Sequence, residues 1–259
     1  MNNETFNDLD EIVSSQKRPP KILIYGTEGI GKSTLAAQAG AVFIHTEDGL
    51  SEIECKHWPD VATTYKEVKR RLVFLIEKDH SFPYVAIDSG DWLERIIWDQ
   101  VCEDHGVTSI SMAAGGFNKG YDFAMNLWRE ITAMLDYLNK TRDMGEFIIC
   151  HADVKTFKDP ENESYDRYIP RLHKDTSLPL LTERADAVLF CNSRVRVDAV
   201  KEASGKKRTR AFPIGKGGGE RFIQTVRSPS CVAKNRYGMD QEIDLDWEVL
   251  EKAIGWKKS

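Results

Sequence analysis

The chain of 259 residues is 41% hydrophobic and 30% charged, a composition that excludes a disordered polymer and suffices for one large α/β domain or two small ones. Its 36 Lys and Arg stand against 41 Asp and Glu; no apolar run approaches the ~20 residues that cross a bilayer, and residues 1–20 lack the charged start and apolar stretch of a secretory signal, so a cytoplasmic protein without a membrane partner is expected. Five cysteines, at 55, 102, 150, 191 and 231, contain no C-x-x-C pair, which argues against a disulfide framework and against a zinc site.

Residues 1–18 read as a loosely ordered tail whose apolar positions Phe6, Leu9, Ile12 and Val13 are spaced for a short amphipathic helix, able to tether a neighbouring subunit or to pack on its own domain. Pro19-Pro20 breaks the chain, and 19–259 is read as a single domain. The first strand, 21–25, runs straight into Gly26-Thr27-Glu28-Gly29-Ile30-Gly31-Lys32-Ser33, which fills every fixed position of the phosphate-binding pattern G-x-x-x-x-G-K-[ST]. Gly26 and Gly31 permit a tight loop whose backbone N–H groups converge on phosphate oxygens at the positive end of the following helix. In that frame Lys32 reaches the β- and γ-phosphates and Ser33 ligates Mg2+.

A helix over 32–39 leads to a second strand, 41–45, ending at Thr46-Glu47-Asp48-Gly49; a helix over 63–78 carries Val68, Leu72, Leu75 and Ile76 on one face. The third strand, 84–87, ends on Asp88-Ser89 and is expected beside the loop's strand. Helices at 91–103 and 121–140 flank a Gly-rich segment at 112–120, and a fourth strand, 147–150, ends on His151. Short apolar strands alternating with helices predict a mostly parallel central sheet flanked by helices, with ligands at the carboxyl ends of the strands.

Beyond His151 the pattern changes. Residues 152–171 read as a long polar connection carrying function, followed by a helix at 175–184 and a fifth strand at 187–191. An antiparallel hairpin is predicted over 194–213, then a Gly-rich loop at 215–219, a strand at 222–226 and a closing helix at 246–255. From Arg194 to Arg236 there are 12 Lys and Arg against three acids, so an acidic chain concentrates positive charge in one stretch.

Asp88, at a strand end, is the expected holder of magnesium, its competing role being a cap for the helix that begins at Asp91. The next residue is Ser89 rather than a Glu, so the carboxylate that orients an attacking water must come from elsewhere; Glu47 is chosen over the neighbouring Asp48. His151, at the same sheet edge, is able to hydrogen-bond the γ-phosphate or the water and report nucleotide state to the segment that follows. No other histidine has a partner at metal-ligand spacing.

The order strand, phosphate loop, strand ending Thr46-Glu47, strand ending Asp88-Ser89, strand ending His151, then a basic hairpin and Lys234-Asn235-Arg236, resembles the RecA-like P-loop ATPases. It is similar in particular to phage AAA-type proteins of the Sak type, which anneal single-stranded DNA. The resemblance covers roughly 20–255 and implies an α/β RecA-like P-loop NTPase with an antiparallel C-terminal extension. It further implies ATP and Mg2+ as cofactors, with the loop from Gly26 to Thr34 cradling ATP, Asp88 on magnesium and Glu47 on water. Where the family carries a glutamine sensor, this chain has His151. Lys234 and Arg236 would act on a neighbour's nucleotide, which requires a homo-oligomer, ring or filament.

Single-stranded DNA is the implied partner, with a single-strand DNA-binding protein as a further one. Candidate contacts are Phe117 and Lys119; Lys155, Phe157, Lys158 and Arg167; and the hairpin tip Lys206-Lys207-Arg208. Two other readings stay open: a small-molecule kinase using the same loop, and a nucleotide-dependent assembly protein without catalysis.

Overall fold

A computed structural model describes residue 14 and residues 17–201, 207–213 and 219–258. The N-terminal tail apart from residues 14, 17 and 18, the tip residue Lys206 and the Gly-rich stretch 214–218 lie outside the described residues.

The first strand, β1 (Lys21–Gly26), places Ile22 and Ile24 in one apolar layer and Leu23 and Tyr25 in the other. The same alternation recurs in β2 (Ala41–His45) and β4 (Tyr84–Asp88), so both faces of these strands are buried, which is why each reads as an unbroken apolar run. One layer packs beneath α2 (Tyr65–Glu77), α3 (Gly90–His105) and α4 (Gly120–Thr141); the other lies under α1 (Lys32–Gln38) and α6 (Trp247–Ile254). Thr64 and Glu67 close a capping box on α2, each satisfying an N–H of the other.

With β3 (Lys56–His57), β5 (Gly145–Phe157), β7 (Ala187–Ser193), β10 (Arg221–Gln224) and β12 (Glu242–Asp244), the sheet order is β12-β10-β7-β1-β5-β4-β2-β3. The strands from β7 to β3 run parallel; β10 and β12 are antiparallel, and β11 (Lys234–Asn235) pairs antiparallel with the start of β7. The expected class, a mostly parallel sheet flanked by helices with an antiparallel C-terminal extension, is the observed one. The Asp88 strand, however, is not beside the loop strand, because β5 lies between β1 and β4. Apolar runs alone do not encode strand order, and that neighbour relation is corrected.

A second correction concerns 152–171. Rather than a long connection, β5 continues to Phe157 and folds back on β6 (Tyr165–Pro170), pairing from Ala152↔Pro170 to Phe157↔Tyr165. Charged residues are interspersed there with apolar ones: Phe157, Tyr165 and Ile169 share one face of the ribbon, and Val154 lies on the other, 49% exposed. The predicted hairpin at 194–213 is present as β8 (Val195–Lys201) and β9 (Lys207–Pro213), in a sheet of its own. A short helix, α5 (Ser177–Arg184), precedes β7, and no helix among the described residues is long and apolar enough to cross a membrane.

At the amino ends of β1 and β5, Arg184 forms a bidentate pair with the buried Glu146 and also binds Asp136 at 2.7 Å, which holds Lys21 as well. Arg184 and Glu146 are largely out of water while Lys21 and Asp136 are partly exposed, and the four charges cancel as a group. Arg184→Ala should therefore cost about 3–5 kcal/mol in urea unfolding by leaving the Glu146 carboxylate unpaired, and the double change with Glu146→Leu should recover much of it. Equal loss in the single and double variants would refute the coupling.

Candidate functional site

The phosphate loop sits at the end of β1, with Gly26 level with His151 of β5 and Cys191 of β7. A Cβ on Gly26 would stand 2.3 Å from the Cys191 carbonyl oxygen, so the first fixed glycine answers to the close approach of β7. Gly31 has φ 113, a left-handed conformation that side chains other than hydrogen rarely adopt, and it turns the loop into α1. Arg221, from β10, donates to the Ile30 carbonyl at 3.1 Å and braces the loop from the antiparallel flank. The buried Lys32 ammonium rests on the carbonyl oxygens of Gly26 (3.1 Å) and Thr27 (2.9 Å), and burial draws its pKa below the usual lysine value.

Ser33, one residue into α1, donates its hydroxyl to Asp88 Oδ2 at 2.6 Å, across the end of the intervening β5. Burial pushes the Asp88 carboxyl up to about 6, against the hydrogen bond from Ser33, with the nearby Glu47 charge adding to the rise. Glu47 is brought there by a staple between β2 and β4. Thr46 donates its backbone N–H to the Asp88 carbonyl at 2.7 Å, and its hydroxyl both donates to the Ser89 carbonyl (2.8 Å) and accepts from the Ser89 N–H (2.9 Å).

His151 is gripped by Asp91, in the first turn of α3: its backbone N–H donates to Asp91 Oδ1 at 3.0 Å and its ring Nδ1 lies 3.0 Å from Oδ2. The hydrogen bond to Asp91 raises the His151 pKa above that of an ordinary histidine, against the effect of burial. Burial works against the Asp91 carboxylate, but the bonds from His151 outweigh it and hold its pKa low. Glu47 Oε1 is 3.9 Å from the same ring nitrogen.

Gly31, Lys32, Ser33, Glu47, Asp88 and His151 line one cavity of about 530 Å³, together with Glu28, Gly29, Thr34, Asp48, Trp92, Arg95 and Arg171. Reading the sequence had passed over Asp91, Arg95, Trp92 and Arg171 as site residues. Asp91 carried a readable signal, an acid three positions after Asp88 at a helix start, whereas Arg171 reaches the cavity only because β6 returns along β5. Ser33 and Asp88 fit a magnesium ion: both are hard oxygen donors, already adjacent, and would hold it beside the phosphate loop.

The remaining candidates lie elsewhere. Lys234 caps α5, donating to the carbonyls of Thr182 (3.0 Å) and Glu183 (2.7 Å), and Arg236 pairs with Asp186 at 3.0 Å. Both sit at the amino-terminal edge of β7, opposite the phosphate loop, occupied within their own chain. Arg167 is 6% exposed, stacked 4.0 Å over Phe157 and bonded to Tyr165 Oη at 2.6 Å, so it braces the β5–β6 hairpin rather than standing free. Lys119, Lys155 and Lys158 are exposed, and Phe117 is 95% exposed with φ 55. Lys207 and Arg208 open β9.

Asp88 keeps its proton in the folded chain up to about pH 6, but its ordinary value is 3.8. Its contribution to folding is therefore fully present below pH 3.8 and is lost as pH rises through about 6. Asp88→Asn cannot ionise, so in urea unfolding it should gain on the parent by on the order of 2–3 kcal/mol between pH 3.5 and pH 8. A pH-independent difference would contradict this buried ionisation.

A family model described as "AAA domain" matches residues 18–237. No curated protein matches the sequence. Among solved structures, the crystal structure of the RadB recombinase is similar over 85% of this chain and 97% of that one, at 15% identity and a TM-score of 0.39. With its phosphate loop, Ser33–Asp88 pair and flanking acids on one sheet edge inside the matched span, the chain belongs to the AAA domain family.

Proposed function

We propose that this chain is a Mg-dependent RecA-like ATPase that binds and hydrolyses ATP and acts, as a homo-oligomer, on single-stranded DNA in phage-type recombination or annealing. The observation that carries the catalytic part is the meeting of the phosphate loop, the Ser33–Asp88 pair, Glu47 and His151 around a single cavity, with Asp91 holding His151 from outside its lining. A magnesium ion held by Ser33 and Asp88 would supply charge neutralisation at the phosphates. Everything else falls to the chain's own groups.

Lys32, freed from the Gly26 and Thr27 carbonyls, takes the triphosphate charge that its buried site lacks. Ionised Asp88 and the Ser33 hydroxyl hold the metal position, so nucleotide binding strengthens as pH rises through about 6. Glu47 accepts a proton from the attacking water, and the His151 ring, oriented by its Nδ1 contact with Asp91, donates its remaining N–H to phosphate. Arg95 and Arg171 add positive charge to the same wall.

Exposed Phe117, Lys119, Lys155 and Lys158 support the DNA reading, as does the basic stretch from Arg194 to Arg236. Lys234 and Arg236 are left out of the catalytic scheme, since each already has partners in its own chain.

Lys32→Ala should abolish ATP binding, and Glu47→Gln should keep Mg·ATP affinity while turnover falls about 10²-fold or more. Parent-level turnover in Glu47→Gln would reassign the base, and a parent without turnover would leave an assembly protein. For DNA, affinity for a single strand should fall with salt at a slope of about −0.7 per phosphate neutralised. A flat profile would remove the nucleic-acid reading.

A further inference from the structure

Between α3 and the β5–β6 hairpin lies a second cavity, of about 700 Å³, within the size range of small-ligand sites. Its walls are apolar and aromatic, formed by Trp98, Phe157, Ile169, Leu172 and Val232. Arg95, Lys155, Arg167, Arg171 and Lys174 stand around it with the acids Asp91, Glu94 and Asp153, the last paired with Lys155 at 2.8 Å, so cations outnumber acids, a balance suited to an anion attached to a flat apolar body. Arg95 lies 4.6 Å over the Trp92 ring, and the hydrogen bond of Arg171 goes to the Ala152 carbonyl at 3.4 Å, so neither guanidinium is tied to a carboxylate by these contacts.

One buried group in the wall has no task in the hydrolytic scheme. Glu94, 5% exposed, accepts from the His173 backbone N–H at 3.0 Å and from the Ser177 hydroxyl, both uncharged donors. Burial pushes its carboxyl up to about 7, despite those two hydrogen bonds. A buried acid held without a cation beside an apolar cavity is costly to the fold, and it offers acceptor oxygens to a ligand's N–H edge.

The two cavities also share a wall. Arg95 and Arg171 line both, and Asp91 lines this second cavity while holding His151 in the first. Asp91 and Glu94 are three apart on α3 and so lie on one face.

We propose that the second cavity binds one nucleotide unit, its base between the aromatic and aliphatic walls, its phosphate at Arg95 and Arg171, and its N–H edge on Glu94. A nucleobase has apolar faces and N–H donors on its rim, which matches the wall and the acceptor. Amino-bearing bases satisfy a carboxylate; thymine presents a single N–H flanked by carbonyl oxygens that the carboxylate repels. The unit could be a free nucleotide or one residue of a single strand, and only the second source rests on the DNA reading given above. Occupation would press on Asp91 and thereby on His151, so the site would tune hydrolysis through a positioning residue.

The test uses the full chain with a non-hydrolysable Mg·ATP analogue filling the first cavity. Binding of dCMP and dTMP, and of dC and dT oligomers, is measured for the parent, Glu94→Gln and Phe157→Ala. The parent should favour cytosine over thymine about tenfold. Glu94→Gln should collapse that ratio towards one with an unchanged salt slope, and Phe157→Ala should weaken both bases, while analogue affinity stays at the parent level in each variant. A cytosine preference confined to oligomers and lost in Glu94→Gln supports the site with a strand as its source. One confined to mononucleotides supports it while the DNA reading fails. Should dC and dT bind alike in the parent, or should both variants keep the parent's ratio and affinities, the second site is wrong and the ATPase reading stands on the Lys32 and Glu47 results.

Discussion

The insertion of β5 between the loop strand and the Asp88 strand is the constraint on which the site depends. Neighbouring strands lie about 4.8 Å apart, so Asp88 stands roughly two such spacings from β1 and no residue of the loop's own strand reaches it. The gap is closed by the first turn of α1, which brings the Ser33 hydroxyl over the end of β5 to the carboxylate. The same insertion delivers His151 to the middle of the edge, level with Gly26, where α3 can seize it through Asp91. The phosphate loop, the Ser33–Asp88 pair and His151 are therefore set by one decision about strand order.

The charges at this edge are arranged for visitors. Lys32 and Asp88 are both moved towards neutrality by burial, in opposite directions along the pH scale, because each lacks a full counter-charge of its own. Phosphate would satisfy the first and a divalent cation the second. His151 is different, since Asp91 supplies a counter-charge in advance and moves the ring towards its charged form. The site thus combines two groups tuned to respond with one that is preset.

Much of this was legible in the chain. The phosphate loop is a local pattern with a local mechanism, and buried parallel strands announce themselves as short apolar runs, so β1, β2, β4, β5 and β7 and the edge they share could be read directly. Pairing order could not, being a non-local property, and Asp88 was placed one strand too close to β1. The β5–β6 hairpin was hidden because its alternation is diluted by charges, and Arg171 was hidden with it. Lys234 and Arg236, singled out by a resemblance in residue type, lie at the far end of the sheet, bonded to the α5 carbonyls and to Asp186.

The β8–β9 ribbon stands in a revealing relation to the ladder beneath it. β7 and β10 pair antiparallel from Gln224↔Phe190 to Arg221↔Ser193, and the Arg194 N–H donates to the Glu220 carbonyl at 2.8 Å, one rung further on. The ribbon is thus a long excursion between two strands already locked at its base. Lengthening such an excursion costs little, about 0.6 kcal/mol for each doubling, because closure entropy grows only logarithmically. Related chains are accordingly free to vary this arm in length and charge with little cost to the nucleotide edge, making it the part of the molecule that evolution, or a designer grafting a new binding arm, can rewrite most cheaply.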